Sequence, residues 1–197
     1  MTEMSVKRIT ICGEPILRKK CRTVQDIDEE LIGLLDDMAK TMSKRSGIGL
    51  AAPQVGEDIR VIVVGELPED EEDEGITVHR LINPHIVEQE GEVEGTEGCL
   101  SLPTLYGTVL RPDRVVVEAI TPDGDRIQIE GEGMLARCLS HEIDHLNGTL
   151  FIDRVEEDSL AWMVPDEDEE SGYRWVATTI EEARERFQKL IEKRREQ

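Results

Sequence analysis

The stretch RCLSHEIDHLNG, Arg137 to Gly148, constrains the fold more than any other part of the chain. With the preceding GMLA it has the length and spacing of a core helix, with Leu135, Cys138, Leu139 and Leu146 as its apolar positions. Yet the same segment carries His141, Glu142 and His145. Residues four apart in a helix lie one above the other at about 6 Å of axial rise, so the two imidazoles share a face with Glu142 beside them. The His-Glu-x-x-His spacing suits two metal ligands and a carboxylate that activates a metal-bound water. The plainer alternative is a helix whose two polar side chains are satisfied by hydrogen bonds.

A third ligand would decide between these readings. Cys138 lies on the same stripe but seven residues from His145. That is roughly 10 Å of rise, too far for one ion with bonds of about 2.0 to 2.3 Å to hold both. Cys138 is therefore expected to be a small apolar wall residue. His79 and His85 belong to a short strand-like stretch, TVHRLINPHIVEQE, without partner spacing, and read as surface residues. Cys99 stands in EGTEGCLSLP, where Gly98 allows close backbone approach and Pro103 ends the run. It is either a thiolate presented to the helix from a neighbouring segment or merely a buried thiol.

Elsewhere, QDIDEELIGLLDDMAKTMSKRSG places Leu31, Leu35, Met38 and Met42 at helical spacing before Gly47, an amphipathic helix near the N-terminus. IRVIVVGE reads as a buried strand, and RVVVEAITPDGDRIQIEGE as a hairpin turning at Pro-Asp-Gly. Glu66 to Glu74, with seven acids and no base, reads as a solvated, mobile loop. The 197 residues suffice for one domain with an appendage. With 44 acidic against 23 basic residues and a net charge of −21, a broad nucleic-acid face is excluded. No apolar run approaches the ~18 to 20 residues of a membrane span. The N-terminal MTEMSVKRIT lacks the apolar run of a signal peptide, so a cytoplasmic protein without a membrane role is expected. Four cysteines are too few for a disulfide scaffold of this length.

At the C-terminal end, LAWMVPDEDEESGYRWVA reads as a small hairpin, with Trp162 and Trp175 packing across it. In TTIEEARERFQKLIEKRREQ, Thr179 and Glu182 have capping-box spacing, and Ile180, Ala183, Phe187, Leu190 and Ile191 form an apolar stripe. A docked helix follows. From 183 to 195 it carries six basic and two acidic residues, a local charge of +4 that permits a second role beside packing.

GIGLAAPQVG from Gly47, EGCLSLP from Glu97 and HEIDHLNG from His141 resemble, in order and separation, the three motifs of peptide deformylase, and GEPILRKKC resembles that family's opening segment. The likeness runs to about Val155, while Glu156 to Gln197 match no pattern that can be carried over. The resulting expectation is an α+β fold, with antiparallel β-sheets packed around a central metal-binding helix. The N-terminal amphipathic helix and the C-terminal hairpin and helix complete it, giving a catalytic domain over 1–155 and an appendage over 156–197.

The resemblance implies a hydrolase that removes the formyl group from the N-terminal formylmethionine of newly synthesised polypeptides, releasing formate. It implies that Cys99, His141 and His145 hold one divalent metal, with water in the fourth position. Iron(II) is the implied native ion, with nickel, cobalt or zinc able to replace it. Glu142 would carry the proton, and the Gln54 side-chain amide and the Leu100 backbone N–H would donate to the developing oxyanion. Gly47 and Gly49, flanking Ile48, would let a substrate backbone approach and pair. Ile48, Leu100, Cys138 and His141 would line the methionine pocket, with Tyr106 at its rim, and Glu97 with Arg111 would form a supporting ion pair. A C-terminal helix that contacts the ribosome in some bacterial deformylases makes the ribosome a further implied partner. Ser140 stands where the family commonly has Gln, and Arg137 where an apolar residue is usual, which bears on pocket shape rather than reaction class. Two rivals share part of the pattern. A zinc peptidase would need a downstream third ligand, for which only Asp144 and Asp153 are near. A noncatalytic deformylase-like protein would be expected to lack Glu142 or Gln54, and both are present.

Overall fold

Asp28 opens the first helix, α1 (Glu29–Lys44), by accepting from the Leu31 N–H at 2.9 Å, and Glu29 and Glu30 complement the positive end of the helix in its first turn. The structure, a computed structural model, describes residues 5–68 and 75–195. After α1 come β1 (Gly49–Ala51), β2 (Val61–Glu66), β3 (Thr77–Glu90), β4 (Val93–Cys99), β5 (Leu102–Arg111), β6 (Arg114–Ile120) and β7 (Arg126–Glu132). Helix α2 (Gly133–Leu146), strands β8 (Ala161–Pro165) and β9 (Tyr173–Ala177) and helix α3 (Ile180–Arg195) complete the order. The strands form two antiparallel sheets, one ordered β1-β2-β3-β6-β7 and the other β4-β5-β8-β9. The expected α+β architecture is the one observed.

Strand β2 shows why its apolar run is unbroken. Ile62 and Val64 pack with Ala136, Leu139, Ile143 and Leu146 of α2, whereas Val61 and Val63 pack with Leu31, Leu35, Met38 and Met42 of α1. A strand covered on both faces has no position for an alternating polar residue. Helix α2 is buried at every residue from Ala136 to Leu146, so its charged and polar side chains must find partners inside the protein. A third core cluster lies under the second sheet and joins Leu17, Leu102, Leu105, Phe151 and Trp162 to Ala183 and Phe187 of α3.

Two expectations change, and a third falls largely outside the described residues. TVHRLINPHIVEQE is not short but a single 14-residue strand, β3, made irregular by register shifts after Ile82 and Ile86 and by a positive φ of 53° at Asn83. Within it His79 contacts Glu66 at 2.6 Å, and His85 lies 3.5 Å from Glu118. Of the acidic stretch, Glu66 ends β2, and residues 69–74 lie outside the described residues. The C-terminal hairpin forms, but Trp162 pairs with Val176 and Trp175 with Met163. The two indoles therefore point to opposite faces and do not pack together, because side chains alternate along a strand.

The α3 capping box is present: the Glu182 N–H donates to Thr179 Oγ1 at 3.2 Å, and the Thr179 N–H donates to Glu182 Oε2 at 3.1 Å. Ala183, Phe187 and Ile191 are buried, and the Phe187 ring lies 5.6 Å from that of Trp162. Leu190, by contrast, is 39% exposed. Ile191→Ala is thus expected to cost about 2 kcal/mol and Leu190→Ala under about 0.5 kcal/mol, as measured by denaturant unfolding. Equal losses would show that α3 is not docked by this face.

Candidate metal centre

The short turn of Ala52–Val55 and the β4–β5 connection are pinned by one N-terminal segment. The Thr10 N–H donates to the Gln54 carbonyl at 2.9 Å, and the Cys12 N–H to the Ser101 carbonyl at 2.8 Å. Gln54, 1% exposed, accepts from the Ala51 N–H through Oε1 at 2.7 Å, which turns its amide nitrogen outward to within 3.3 Å of Cys99 Sγ. Cys99 ends β4 and lies against α2, with Sγ 3.2 Å from His145 Nε2. The ligand atoms of Cys99, His141 and His145 all lie within 4.8 Å of one another. Ligands on a tetrahedral ion with bonds of about 2.0 to 2.3 Å stand about 3.5 Å apart, so this set fits a single ion. One thiolate and two imidazoles suit iron, cobalt, nickel or zinc alike.

His141 is oriented by Glu97, whose Oε2 lies 2.9 Å from Nδ1, so that Nε2 is the ring nitrogen left to ligate an ion. Glu97 is the hub of a buried network. It accepts from Arg111 Nε at 2.8 Å and Nη2 at 3.0 Å, and from Arg137 Nη1 at 2.9 Å. Burial alone would raise its pKa, but the hydrogen bonds from His141 and Arg111 and their charges hold it down to about 2. Arg111 also donates to Asp144, which accepts from Arg154 Nε at 2.7 Å and Nη2 at 2.9 Å. Asp153 is held by Arg18 and by the Leu150 N–H at 2.8 Å. Both carboxylates that a peptidase would need as a third ligand are thus engaged elsewhere.

Glu142 is 4% exposed, and its Oε2 has no hydrogen-bond partner among the described residues. Burial, with the Glu97 charge adding and His141 and Arg111 opposing, pushes its pKa up to about 7. Its other oxygen and the Cys138 thiol press on β1, where a Cβ at Gly49 would stand 2.4 Å from Glu142 Oε1 and 2.7 Å from Cys138 Sγ. Only glycine fits there. Cys138 donates to the Ile48 carbonyl at 3.3 Å, and burial followed by the Glu142 charge raises its pKa well above the ordinary thiol value.

A cavity of about 690 Å³ opens onto these groups. Gly47, Ile48, Gly49, Gln54, Glu97, Cys99, Leu100, Tyr106, Cys138, His141 and Glu142 all line it, while His145 and Arg111 lie behind its wall. Among the described residues the only acids in the lining are Glu97 and Glu142, whereas Arg8, Arg45 and Arg194, all exposed, stand at its mouth in an otherwise acidic chain.

Sequence reasoning missed the part taken by Arg137. Its Nη1 donates to Glu97 and to the Val109 carbonyl at 3.0 Å, and its Nη2 to the Val93 carbonyl at 2.8 Å. The guanidinium lies against Gly95, where a Cβ would meet its Cζ at 2.7 Å. The one signal was an arginine in a helix otherwise suited to the core. Ser140 is buried and its hydroxyl has no partner among the described residues, and nothing in the structure explains that choice.

Residues 6–160 match the polypeptide deformylase family. The peptide deformylase of Acetivibrio thermocellus is 52% identical over 152 residues, covering 77% of this chain and 85% of that one. That of Thermomicrobium roseum is 45% identical over 171 residues, covering 86% and 97%. Among solved structures, peptide deformylase from Ehrlichia chaffeensis superposes with a TM-score of 0.72 at 38% identity, covering 77% of this chain and 89% of that one. A Met-Ala-Ser-bound class I type b peptide deformylase from Acinetobacter baumannii gives 0.72 at 35% identity, covering 78% and 100%.

Proposed function

The chain belongs to the polypeptide deformylase family, metal-dependent hydrolases that remove the formyl group from the N-terminal methionine of nascent polypeptides, and we propose how its own residues carry that reaction. One observation supports the assignment above all: three metal-ligating atoms within 4.8 Å of one another lie beside a buried glutamate with an unpartnered oxygen, on the wall of an open cavity. In this reading Cys99, His141 and His145 hold one divalent ion. When bound, such an ion supplies a Lewis acid that acidifies water and polarises the formyl carbonyl. Iron(II) is the resident ion we propose from the family likeness, since the donor set itself accepts several, and metal analysis of protein purified without air decides it.

Glu142 is the proton carrier. It takes the proton of the attacking water and passes it to the departing amine nitrogen, which leaves poorly unless protonated. Burial pushes the Glu142 pKa up, which favours taking up a proton. The Gln54 amide, fixed by its bond from Ala51, and the backbone N–H of Leu100, next to Cys99, are the donors to the oxygen that gains negative charge. Gly47 and Gly49 admit the substrate backbone beside Ile48. Cys138, Ile48 and Leu100 wall the methionine pocket, Tyr106 stands at its rim, and Glu97 with Arg111 keeps His141 in register.

Residues 1–155 would be the catalytic unit, to which 156–197 add two strands and a helix. No helix among the described residues is long and apolar enough to cross a membrane, and we place the protein in the cytoplasm, where formylated nascent chains are made. The exposed Arg184, Arg186, Lys189, Lys193 and Arg194 of α3 support a second role in ribosome contact, which salt-sensitive binding lost on removal of 179–197 would establish.

The wild type is expected to release formate from formyl-Met-Ala-Ser without cleaving an internal peptide bond. The reverse would favour the peptidase. Cys99→Ser is expected to lose most bound metal, because a hydroxyl is a harder and poorer ligand than thiolate. Undiminished metal content would remove Cys99 from the ligand set.

A further inference from the structure

Strands β8 and β9 lie beyond the residues that match the family model, yet β8 pairs with β5 at Tyr106, which lines the catalytic cavity. Gly98 pairs with Tyr106, Tyr106 with Ala161, Met163 with Trp175 and Pro165 with Tyr173. Directly paired residues share a face, so Gly98, Tyr106, Met163, Trp175 and Tyr173 all stand on one side of the four-stranded sheet. The other side, with Leu105 and Trp162, is closed by the core and by Phe187.

On the open side the aromatic rings touch in sequence. Tyr106 lines the cavity, and its ring covers Gly98, where a Cβ would lie 2.5 Å from Cε1. Trp175 meets Tyr106 edge to face at 5.4 Å, and Tyr173 meets Trp175 at 5.8 Å. Trp175 is nonetheless 52% exposed and Tyr173 37%. The chain has only two Trp, two Tyr and two Phe, and three of these six lie on this row. A soluble chain so poor in aromatics gains nothing in packing from leaving an indole half in water, and exposed apolar rows of this kind mark binding surfaces.

We propose that this row is an extension of the substrate cleft, an aromatic shelf that receives an apolar side chain from the second or third residue of the formylated peptide. The occupant follows from continuity with the cavity and from chain length. With the first methionine in its pocket, an extended peptide advances about 3.3 Å per residue. In this proposal its next two residues leave the pocket across the rim at Tyr106, and the distance they cover is comparable to the 5.4 Å between the rings of Tyr106 and Trp175. Rigid rings order few torsions on contact, so the cost of binding there is small.

The inference rests on the deformylase reading, and its test separates the two. Formyl-Met-Ala-Ser, formyl-Met-Ala-Phe and formyl-Met-Phe-Ala are compared by formate release. The wild type is expected to favour one of the phenylalanine peptides over the serine peptide by about fivefold in kcat/KM, mainly through KM. In Trp175→Ala that ratio should fall to about one, whichever way the absolute rates move, and Trp175→Phe should restore most of it. A ratio that survives in Trp175→Ala, or no preference in the wild type, overturns the shelf. No formate from any peptide would instead overturn the reading beneath it. A second readout does not depend on turnover: adding Met-Ala-Phe and Met-Phe-Ala should change wild-type tryptophan emission but not that of Trp175→Phe, and unaltered wild-type emission with both would also sink the proposal.

Discussion

Glu142→Gln is expected to lower deformylation by about 10²- to 10⁴-fold while leaving bound metal at the wild-type level. Glutamine keeps the size of the side chain, which matters because Gly49 leaves no spare room: a Cβ there would already stand 2.4 Å from Glu142 Oε1. None of the three proposed ligands changes. What is lost is a basic oxygen whose Oε2 is buried without a partner and whose pKa burial has pushed up to about 7. An amide cannot accept the water proton and cannot return it to the amine. The measurement is kcat for formyl-Met-Ala-Ser beside metal analysis of the same sample. Turnover near that of the wild type would reject Glu142 as the proton carrier, and loss of metal would assign it to the metal site instead.

Helix periodicity made part of this centre legible. It alone places His141 and His145 on one face, whatever the tertiary structure, and the buried α2 keeps them there. Cys99 is another matter. Its approach to His145 at 3.2 Å depends on how the end of β4 packs on a helix some 40 residues later, which spacing does not encode, and only likeness to a family's motifs suggested it. The network behind these three residues was less visible still. Asp144 read as a stand-in ligand, yet a turn of helix directs it to Arg111 and Arg154. Arg137 read as a departure, and its partners on β4 and β5 are 28 to 44 residues away. The C-terminal hairpin shows how one residue of register matters. Its strands were legible from composition, but the connection 166–172 sets the pairing and turns Trp162 inward and Trp175 outward.

Glu97→Ala should be the most destabilising single change at the site, by about 3 to 5 kcal/mol, or about 6 to 20 °C in Tm for a chain of this size. Glu97 is 5% exposed and faces two guanidinium groups and an imidazole at 2.8 to 3.0 Å. Arg111 would keep Asp144 as a counter-ion, but Arg137 would keep only the carbonyls of Val93, Val109 and Gly95. A buried charge without its opposite is costly even when its N–H groups are bonded, so most of the loss should come from Arg137. Adding Arg137→Met to Glu97→Ala should therefore recover stability rather than lose more, although Arg137→Met alone is expected to destabilise. His141 would lose the acceptor that aims its Nε2, and metal affinity should fall by about 10- to 100-fold. Denaturant unfolding of the two single variants and the double variant, with metal titration of each, tests both effects. A loss under ~1 kcal/mol for Glu97→Ala, or strictly additive losses in the double variant, would mean that Glu97 does not balance the charge of Arg137.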